Sequence, residues 1–131
     1  MYCIVWCMAA DNSDNPGSAD KWEVQLRKGC LELAILASLW GGRLYGLELL
    51  RVLEKESDLV IAEGTVYPLL SRLRGEGLLD AEWVEADLGH PRKYYRLTAA
   101  GRSQALAMAQ IWSRFSANLD GLLKPLFREE H

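Results

Sequence analysis

The chain has 131 residues, half of them hydrophobic and a quarter charged, which fits one globular domain or such a domain with one long packing element. Its net charge of −3 argues against a protein that coats nucleic acid indiscriminately, but it leaves room for a local basic surface. The chain has three cysteines, Cys3, Cys7 and Cys30, an odd number whose spacing fits no common zinc site. We therefore expect free thiols in a reducing cytosol and no bound metal.

The first twenty residues predict an extension in front of the domain. The chain opens on the apolar run MYCIVWCM, which lacks a preceding basic region and is too short to span a membrane. Residues 11–20 are rich in Asp, Asn, Ser, Gly and Pro, a composition typical of loops and linkers. We therefore expect residues 1–20 to form a flexible extension that need not belong to the native protein, with Met8 as an alternative start. The protein is expected to be cytoplasmic.

Helices are predicted next. A short helical piece over residues 21–27 precedes a helix over residues 29–40, which is apolar on nearly all sides and so favours burial of one face and a partner on another. Residues 44–57 form a further helix with an apolar stripe. Tyr45 at its start is placed to contact a DNA phosphate through its hydroxyl and the local backbone N–H groups. Gly46 is expected to permit the close approach of another backbone, such as a DNA strand.

The stretch from residue 63 to residue 98 predicts a helix followed by a β-hairpin, the order found in a winged helix-turn-helix. One helix face is apolar at the spacing i, i+3, i+4, i+7, through Val66, Leu69, Leu70 and Leu73. Thr65 is predicted to cap this helix, which places Pro68 in the first turn. Four residues are predicted to face the major groove: Thr65, Tyr67, Ser71 and Arg72. Arg74 is predicted to contact the DNA backbone or the minor-groove edge. An ordinary surface helix in a small α/β domain is the alternative.

The hairpin consists of predicted strands over residues 78–84 and 93–97, joined by a polar tip with a turn at Gly89 and Pro91. His90, Arg92 and Lys93 cluster near this tip, where a wing meets phosphates or the minor groove. A solvated hairpin end is the alternative for that cluster. Tyr95 is in phase with Leu97 and is interpreted as a packed ring.

Thr98 is predicted to cap a last helix with a strict heptad spacing of 3 and 4 residues. We call its a and d positions the heptad seam: Ala105, Met108, Trp112, Phe115, Leu119, Leu122 and Leu126. An exposed seam of this size requires a partner, and a symmetric homodimer is the default, matching pseudo-palindromic DNA half-sites. Trp112 serves either as dimer core or as the wall of a pocket in which flat apolar molecules stack.

These motifs together resemble the PadR family of bacterial transcriptional regulators. The matching segments are KGCLELAIL from Lys28, LYGLE from Leu44, EGTVYPLLSRL from Glu63, EGLL from Glu76 and PRKYYRLTAAG from Pro91. The resemblance implies a winged helix-turn-helix dimer that usually represses transcription and that dimerises through the last helix with help from the first. It also implies that small aromatic or multidrug-like compounds bind at the dimer interface of some members, where Trp112 stands, and release DNA.

The predicted fold is thus mainly α with a small β-hairpin: an extension over residues 1–20, a winged helix-turn-helix domain over 21–98 and a dimerisation helix over 99–131. The predicted function is that of a homodimeric DNA-binding repressor without a cofactor. No nucleophile elbow, phosphate loop or paired carboxylates indicate an enzyme. A winged-helix protein-interaction module without specific DNA binding is the alternative, which the net negative charge favours.

Overall fold

The structure is a computed structural model that describes residues 17–57, 63–85 and 89–128. The elements in chain order are α1 (Gly17–Ser38), β1 (Leu44–Tyr45), α2 (Gly46–Ser57), α3 (Glu63–Gly75), β2 (Leu79–Val84), β3 (Arg92–Leu97) and α4 (Ala99–Arg128). Among the described residues, no helix is long and apolar enough to cross a membrane. The chain therefore has the predicted mainly helical fold with a small antiparallel sheet.

The chain divides into two compact units, Met1–Glu32 and Leu33–His131. In the first unit the structure describes the N-terminal part of α1, along which Trp22, Val24 and Leu26 are exposed. Because α1 begins at Gly17, the last four residues of the predicted flexible extension are helical, with Asp20 favourably placed in the first turn. The expected break before Gly29 is also wrong, since the helix continues through it. Residues 1–16 lie outside the described part of the chain.

The second unit contains a three-stranded antiparallel sheet in the order β1-β3-β2. The predicted hairpin is confirmed, with Leu79 opposite Leu97 at one end of the ladder and Val84 opposite Arg92 at the other. The third strand was not predicted, because residues 44 and 45 were assigned to the following helix. They instead pair with Tyr95 and Tyr94 in β3. A two-residue strand is too short to show the alternation that identifies strands in a sequence.

The core of the second unit lies between the helices and the inner face of this sheet. Its most deeply buried side chains come from α1 and the residue after it, from α2, from α3 and from β2: Ile35, Leu36, Leu39, Leu49, Leu53, Val66, Leu70, Leu73 and Leu79. Val66, Leu70 and Leu73 confirm the predicted apolar face of α3, whereas Leu69 is half-buried. This burial fixes which side of α3 faces the core and which side faces outward.

The ends of α3 differ in how well the sequence predicts them. The helix begins at Glu63, so Thr65 lies inside the first turn and the prediction that it caps the helix is wrong. Pro68 therefore falls in the second turn, where it donates no backbone hydrogen bond to the carbonyl of Gly64. At the other end Gly77 has φ 80°, and the N–H of Leu78 donates to the carbonyl of Leu73 at 3.0 Å. This arrangement is a Schellman C-cap, which requires the left-handed residue that glycine supplies.

Thr98 caps α4 as predicted, since its Oγ1 accepts a hydrogen bond from the N–H of Gly101 at 3.0 Å. The same hydroxyl donates to the carbonyl of Gly77 at 2.6 Å, and the Thr98 N–H donates to the carbonyl of Leu78 at 3.1 Å. These bonds attach the start of α4 to the turn between α3 and the wing. The position of the long last helix is therefore tied to the position of α3.

Candidate nucleic-acid interface

The outward side of α3 is built from small residues. At about 100° per residue, the strip opposite the buried face consists of Gly64, Pro68, Ser71 and Gly75, all of them exposed. Thr65 and Arg72 border this strip on one side, and Tyr67 and Arg74 border it on the other. Small side chains allow the helix axis to approach a surface closely, and longer side chains on both borders then reach that surface.

Arg72 is held in place by an acidic neighbour. Its Nη1 donates to Oε2 of Glu76 at 2.8 Å, and the two side chains are 50% and 47% exposed. This i, i+4 spacing at the end of α3 is visible in the sequence and is the signal by which Glu76 can be found. Since the pair is half exposed, it contributes little to folding stability. Its importance is that it determines where the guanidinium lies.

Tyr67, which is predicted to contact DNA, is 36% exposed, and one side of its ring packs against α2. A Cβ built on Gly46 would lie 2.5 Å from the Tyr67 hydroxyl oxygen and 2.6 Å from the ring. The close approach that Gly46 permits is therefore that of the Tyr67 side chain, and the prediction that a DNA strand comes close there is wrong. This contact brings α2 and α3 close together at Gly46.

Tyr95 connects α3 with the wing, and it is packed as predicted, at 7% exposure. Burial raises the pKa of its hydroxyl, the nearby Tyr67 hydroxyl raises it further, and the nearby Arg74 guanidinium acts in the opposite direction. On its other side, the ammonium of Lys93 lies 5.8 Å from the Tyr95 ring centre and 5.7 Å from that of Trp83. Tyr67, Arg74 and Lys93, three predicted DNA contacts, are thus gathered around one buried ring.

The opposite face of the sheet carries alternating aromatic and cationic groups, which we call the outer sheet stack: Arg43, Tyr45, Arg92 and Tyr94. The Arg92 guanidinium lies 4.5 Å from the Tyr45 ring centre, and that of Arg43 lies 4.6 Å from the Tyr94 ring centre. The two tyrosine rings meet edge to face at 5.5 Å. Arg43 also donates to Glu82 at 2.9 Å. Mutual cation–π contacts of this kind hold the guanidinium groups in fixed positions on the sheet.

The backbone N–H of Tyr45 already has a hydrogen-bond partner within the protein. Its N–H donates to Oε1 of Glu48 at 3.1 Å, the carboxylate half of a capping box for α2. That N–H is therefore not directed at a phosphate as predicted.

The three predicted wing contacts do not form one cluster. Arg92 lies in the outer sheet stack, while the adjacent Lys93 points to the inner face beside Trp83, because successive strand residues face opposite sides. His90 is exposed just before β3. The sequence placed all three near the tip because they are close along the chain, a measure that ignores strand alternation.

The structure adds residues that sequence reasoning missed. Arg43 enters the outer sheet stack through a partner 39 positions away, Glu82, and no local pattern indicates such a pairing. Trp83 is 67% exposed on the wing although it alternates in phase with the buried Leu79. Trp83 thus lies on the same side of β2 as Leu79, but beyond the end of the core.

A second candidate surface runs along α4. From Trp112 onward the heptad seam is exposed in the single chain, with Trp112 at 45% and Leu122 at 75%, whereas Ala105 at its start is buried. Next to Ala105 lies an apolar groove of about 330 Å³, lined by Leu33, Ala37, Trp40, Ala105, Leu106 and Ala109. Arg102 covers one face of Trp40 at 4.7 Å. The apolar surface therefore continues from the seam into a groove beside α1.

The architecture is a helix-turn-helix with a wing and a long final helix, and it agrees with a known family. The sequence profile of the PadR-like family of transcriptional regulators matches residues 35–107, more than half of the chain. The chain belongs to the PadR-like family. The matched segment begins in the second half of α1, includes the whole winged helix-turn-helix and ends in the first turns of α4.

Solved structures agree with this assignment. A PadR-like transcription factor from Bacteroides fragilis is 38% identical with a TM-score of 0.64, over 78% of this chain and 98% of that one. A PadR-like transcriptional regulator from Bacillus cereus is 36% identical with a TM-score of 0.70, over 76% and 97%. A transcriptional regulator from Mycobacterium tuberculosis is 34% identical over 79 residues, which are 60% of this chain and 72% of the relative.

Membership confirms two predictions from the sequence. PadR-like proteins are transcriptional regulators and not enzymes, and the relatives share the winged-helix fold with a C-terminal helix. The family therefore assigns this chain to DNA-binding regulators.

Proposed function

We propose that this PadR-like chain is a cytoplasmic repressor that binds a pseudo-palindromic double-stranded DNA operator as a homodimer. We further propose that a small aromatic or multidrug-like molecule at the dimer interface releases it from DNA. The observation that carries the proposal is the exposed heptad seam. A single chain leaves five large apolar side chains of the seam in water: Trp112, Phe115, Leu119, Leu122 and Leu126.

A partner with the same seam covers these side chains most simply. A two-fold dimer uses one surface twice, so each a and d residue meets the equivalent surface of the partner. The hydrogen bonds from Thr98 tie α4 to the turn that follows α3. Dimerisation through α4 then sets the distance between two α3 helices, and this distance selects the spacing of the DNA half-sites.

On each copy, α3 is proposed to enter the major groove with its small-residue strip foremost. Thr65, Ser71 and Arg72 contact base edges, while Tyr67 and Arg74 contact the DNA backbone beside them. Tyr45, His90, Arg92 and Lys93 contact the backbone or the minor-groove edge. Because the net charge of the chain is −3, these few cations supply the electrostatic attraction.

The effector site is proposed between the two copies at Met108, Trp112 and Phe115. Trp112 is exposed on the seam, and a large aromatic ring that meets its two-fold mate can stack on a flat apolar molecule. The groove beside Ala105 adds apolar volume next to this position. A molecule that separates the two copies of α4 changes the distance between the α3 helices and weakens operator binding.

The proposal is tested by a gel shift with the DNA upstream of the protein's own gene. We expect a discrete complex whose affinity falls steeply between 50 and 200 mM salt, as roughly 0.9 counterions are released per neutralised phosphate. Phenolic acids and cationic dyes are then added as effector probes, and at least one should dissociate the complex. Binding that is insensitive to salt, or no binding, would favour the protein-interaction module that the net negative charge also allows.

Replacing Arg72 by alanine should weaken operator binding by about 1–3 kcal/mol, because a bidentate arginine–guanine contact is lost. Affinity for random DNA should change much less, since base readout contributes only to the specific complex. Fluorescence anisotropy with operator and random duplexes at one salt concentration measures both. An equal loss on the two duplexes would reassign Arg72 to phosphate contact.

A further inference from the structure

Folding stability does not explain why Arg72 is paired with Glu76. Glu76 follows Gly75, the last residue of α3, so its carboxylate lies at the negative end of the helix dipole, where acidic groups are unfavourable. The order of arginine before glutamate is also the weaker orientation for an i, i+4 pair. With both side chains half exposed, the 2.8 Å bond adds little stability.

The same carboxylate also opposes DNA binding in a simple electrostatic account. It lies beside a cation on the border of the helix face that is proposed to enter the groove, and it repels the phosphates there. A residue that favours neither folding nor general attraction to DNA must act through something else at this position. Its direct effect is on Arg72, whose guanidinium it orients and whose charge it offsets.

Specific and non-specific complexes use that guanidinium differently. Bidentate readout of guanine takes two of its five N–H donors, so it is compatible with the bond from Nη1 to Glu76. A complex with random DNA instead draws the arginine toward a phosphate, and the Glu76 carboxylate competes with that phosphate for the same charge.

We propose that Glu76 is a specificity-determining residue that holds Arg72 for base readout and suppresses its binding to phosphates. The inference rests on the proposed function, in which α3 enters the major groove. Glu76 thereby lowers the affinity for random DNA more than the affinity for the operator, and it widens the ratio between them.

The test is the variant Glu76→Gln, which keeps the size and a hydrogen-bond acceptor but removes the charge. We expect affinity for random duplex DNA to rise roughly three- to tenfold, as expected for one nearby charge in water, while operator affinity changes by less than about twofold. The slope of log affinity against log salt on random DNA should steepen by roughly 0.9 per protomer for one added phosphate contact. Anisotropy titrations of the full chain with both duplexes give these quantities.

A matched control is Glu23→Gln on α1. Glu23 also forms an i, i+4 ion pair with an arginine, Arg27, at 2.7 Å, and its side chain is 51% exposed, close to the 47% of Glu76. The substitution removes the same charge from the chain. An equal rise in random-DNA affinity for Glu23→Gln would mean that net charge alone is responsible, and it would overturn the proposal.

A double-mutant cycle with Arg72→Ala tests whether the effect of Glu76 on DNA affinity depends on Arg72. Without Arg72, Glu76→Gln should no longer change the ratio of operator to random affinity beyond the change seen for Glu23→Gln. An undiminished effect would show that Glu76 does not act through Arg72. If the wild-type chain binds operator selectively and Glu76→Gln leaves the ratio unchanged, this inference fails alone; a wild type without selective binding overturns the proposed function as well.

Discussion

Leu119→Asp should give a monomer that does not bind operator DNA. Leu119 is an a position in the middle of the heptad seam, and in the proposed dimer it is buried against the partner's seam. The substitution removes about 3–6 kcal/mol of apolar burial over the two copies and places one carboxylate of each copy in an apolar interface. Light scattering measures the mass, and a gel shift with the upstream duplex measures DNA binding.

Ala117→Asp is the control for this experiment. Residue 117 is exposed at the f position of the preceding heptad, on the side of α4 away from the seam, and it receives the same side chain. This variant should remain dimeric and bind the operator with little change. A Leu119→Asp protein that stays dimeric would refute the role of the seam, and a monomer that retains full operator affinity would separate dimerisation from DNA binding.

The features that the sequence predicted correctly are local ones. The helical spacing of Val66, Leu70 and Leu73 predicts the buried face of α3, and alternation together with turn residues such as Gly89 predicts the wing strands. Thr98 was identified as a cap because cap residues act on backbone groups within three positions. In each case, the atoms that decide the structure are close together in the sequence.

The features that the sequence did not predict depend on partners far along the chain. The local sequence predicts a helix at Tyr45, because nothing nearby shows that this residue pairs with β3. The pairing brings the Tyr45 ring into contact with the Arg92 guanidinium, a contact that the sequence does not predict. The role of Gly46 could be recognised as a close approach, but the approaching group, Tyr67, could not be identified without the packing of α2 on α3. A glycine that is unfavourable in a helix can be noticed in the sequence, but the sequence does not show which group packs against it.

The candidate DNA surface was predicted in composition more accurately than in arrangement. Thr65, Ser71 and Arg72 lie on the exposed side of α3, as the periodicity of the apolar residues requires. The wing cations were placed together by their proximity in sequence, whereas the strand sends Arg92 and Lys93 to opposite faces. The family motifs predicted the kind of protein because they span the whole domain, which no single local pattern does.

Gly101→Ala should lower the free energy of unfolding by roughly 3 kcal/mol, at the upper end of the range for overpacking. A Cβ at this position would overlap the carbonyl oxygen of Leu78 and lie 3.2 Å from Cδ2 of Leu97. The carbonyl is backbone and cannot rotate away, and it also accepts the Thr98 N–H at 3.1 Å. Relief therefore requires α4 to move relative to the turn after α3. Chemical denaturation followed by circular dichroism measures the loss.

Gly121→Ala in the same helix tests whether close approach, and not helix propensity, decides the effect. Among the described residues no atom lies within 4 Å of a Cβ built there, so the substitution should stabilise the chain by about 0.5–1 kcal/mol. Changes of opposite sign in the free energy of unfolding for the two glycine variants would locate the junction between the winged helix-turn-helix domain and the last helix at Gly101. If Gly101→Ala were as stable as the wild type, α4 would not be fixed to the turn at Leu78, and the dimer could not set the spacing of the α3 helices through this contact.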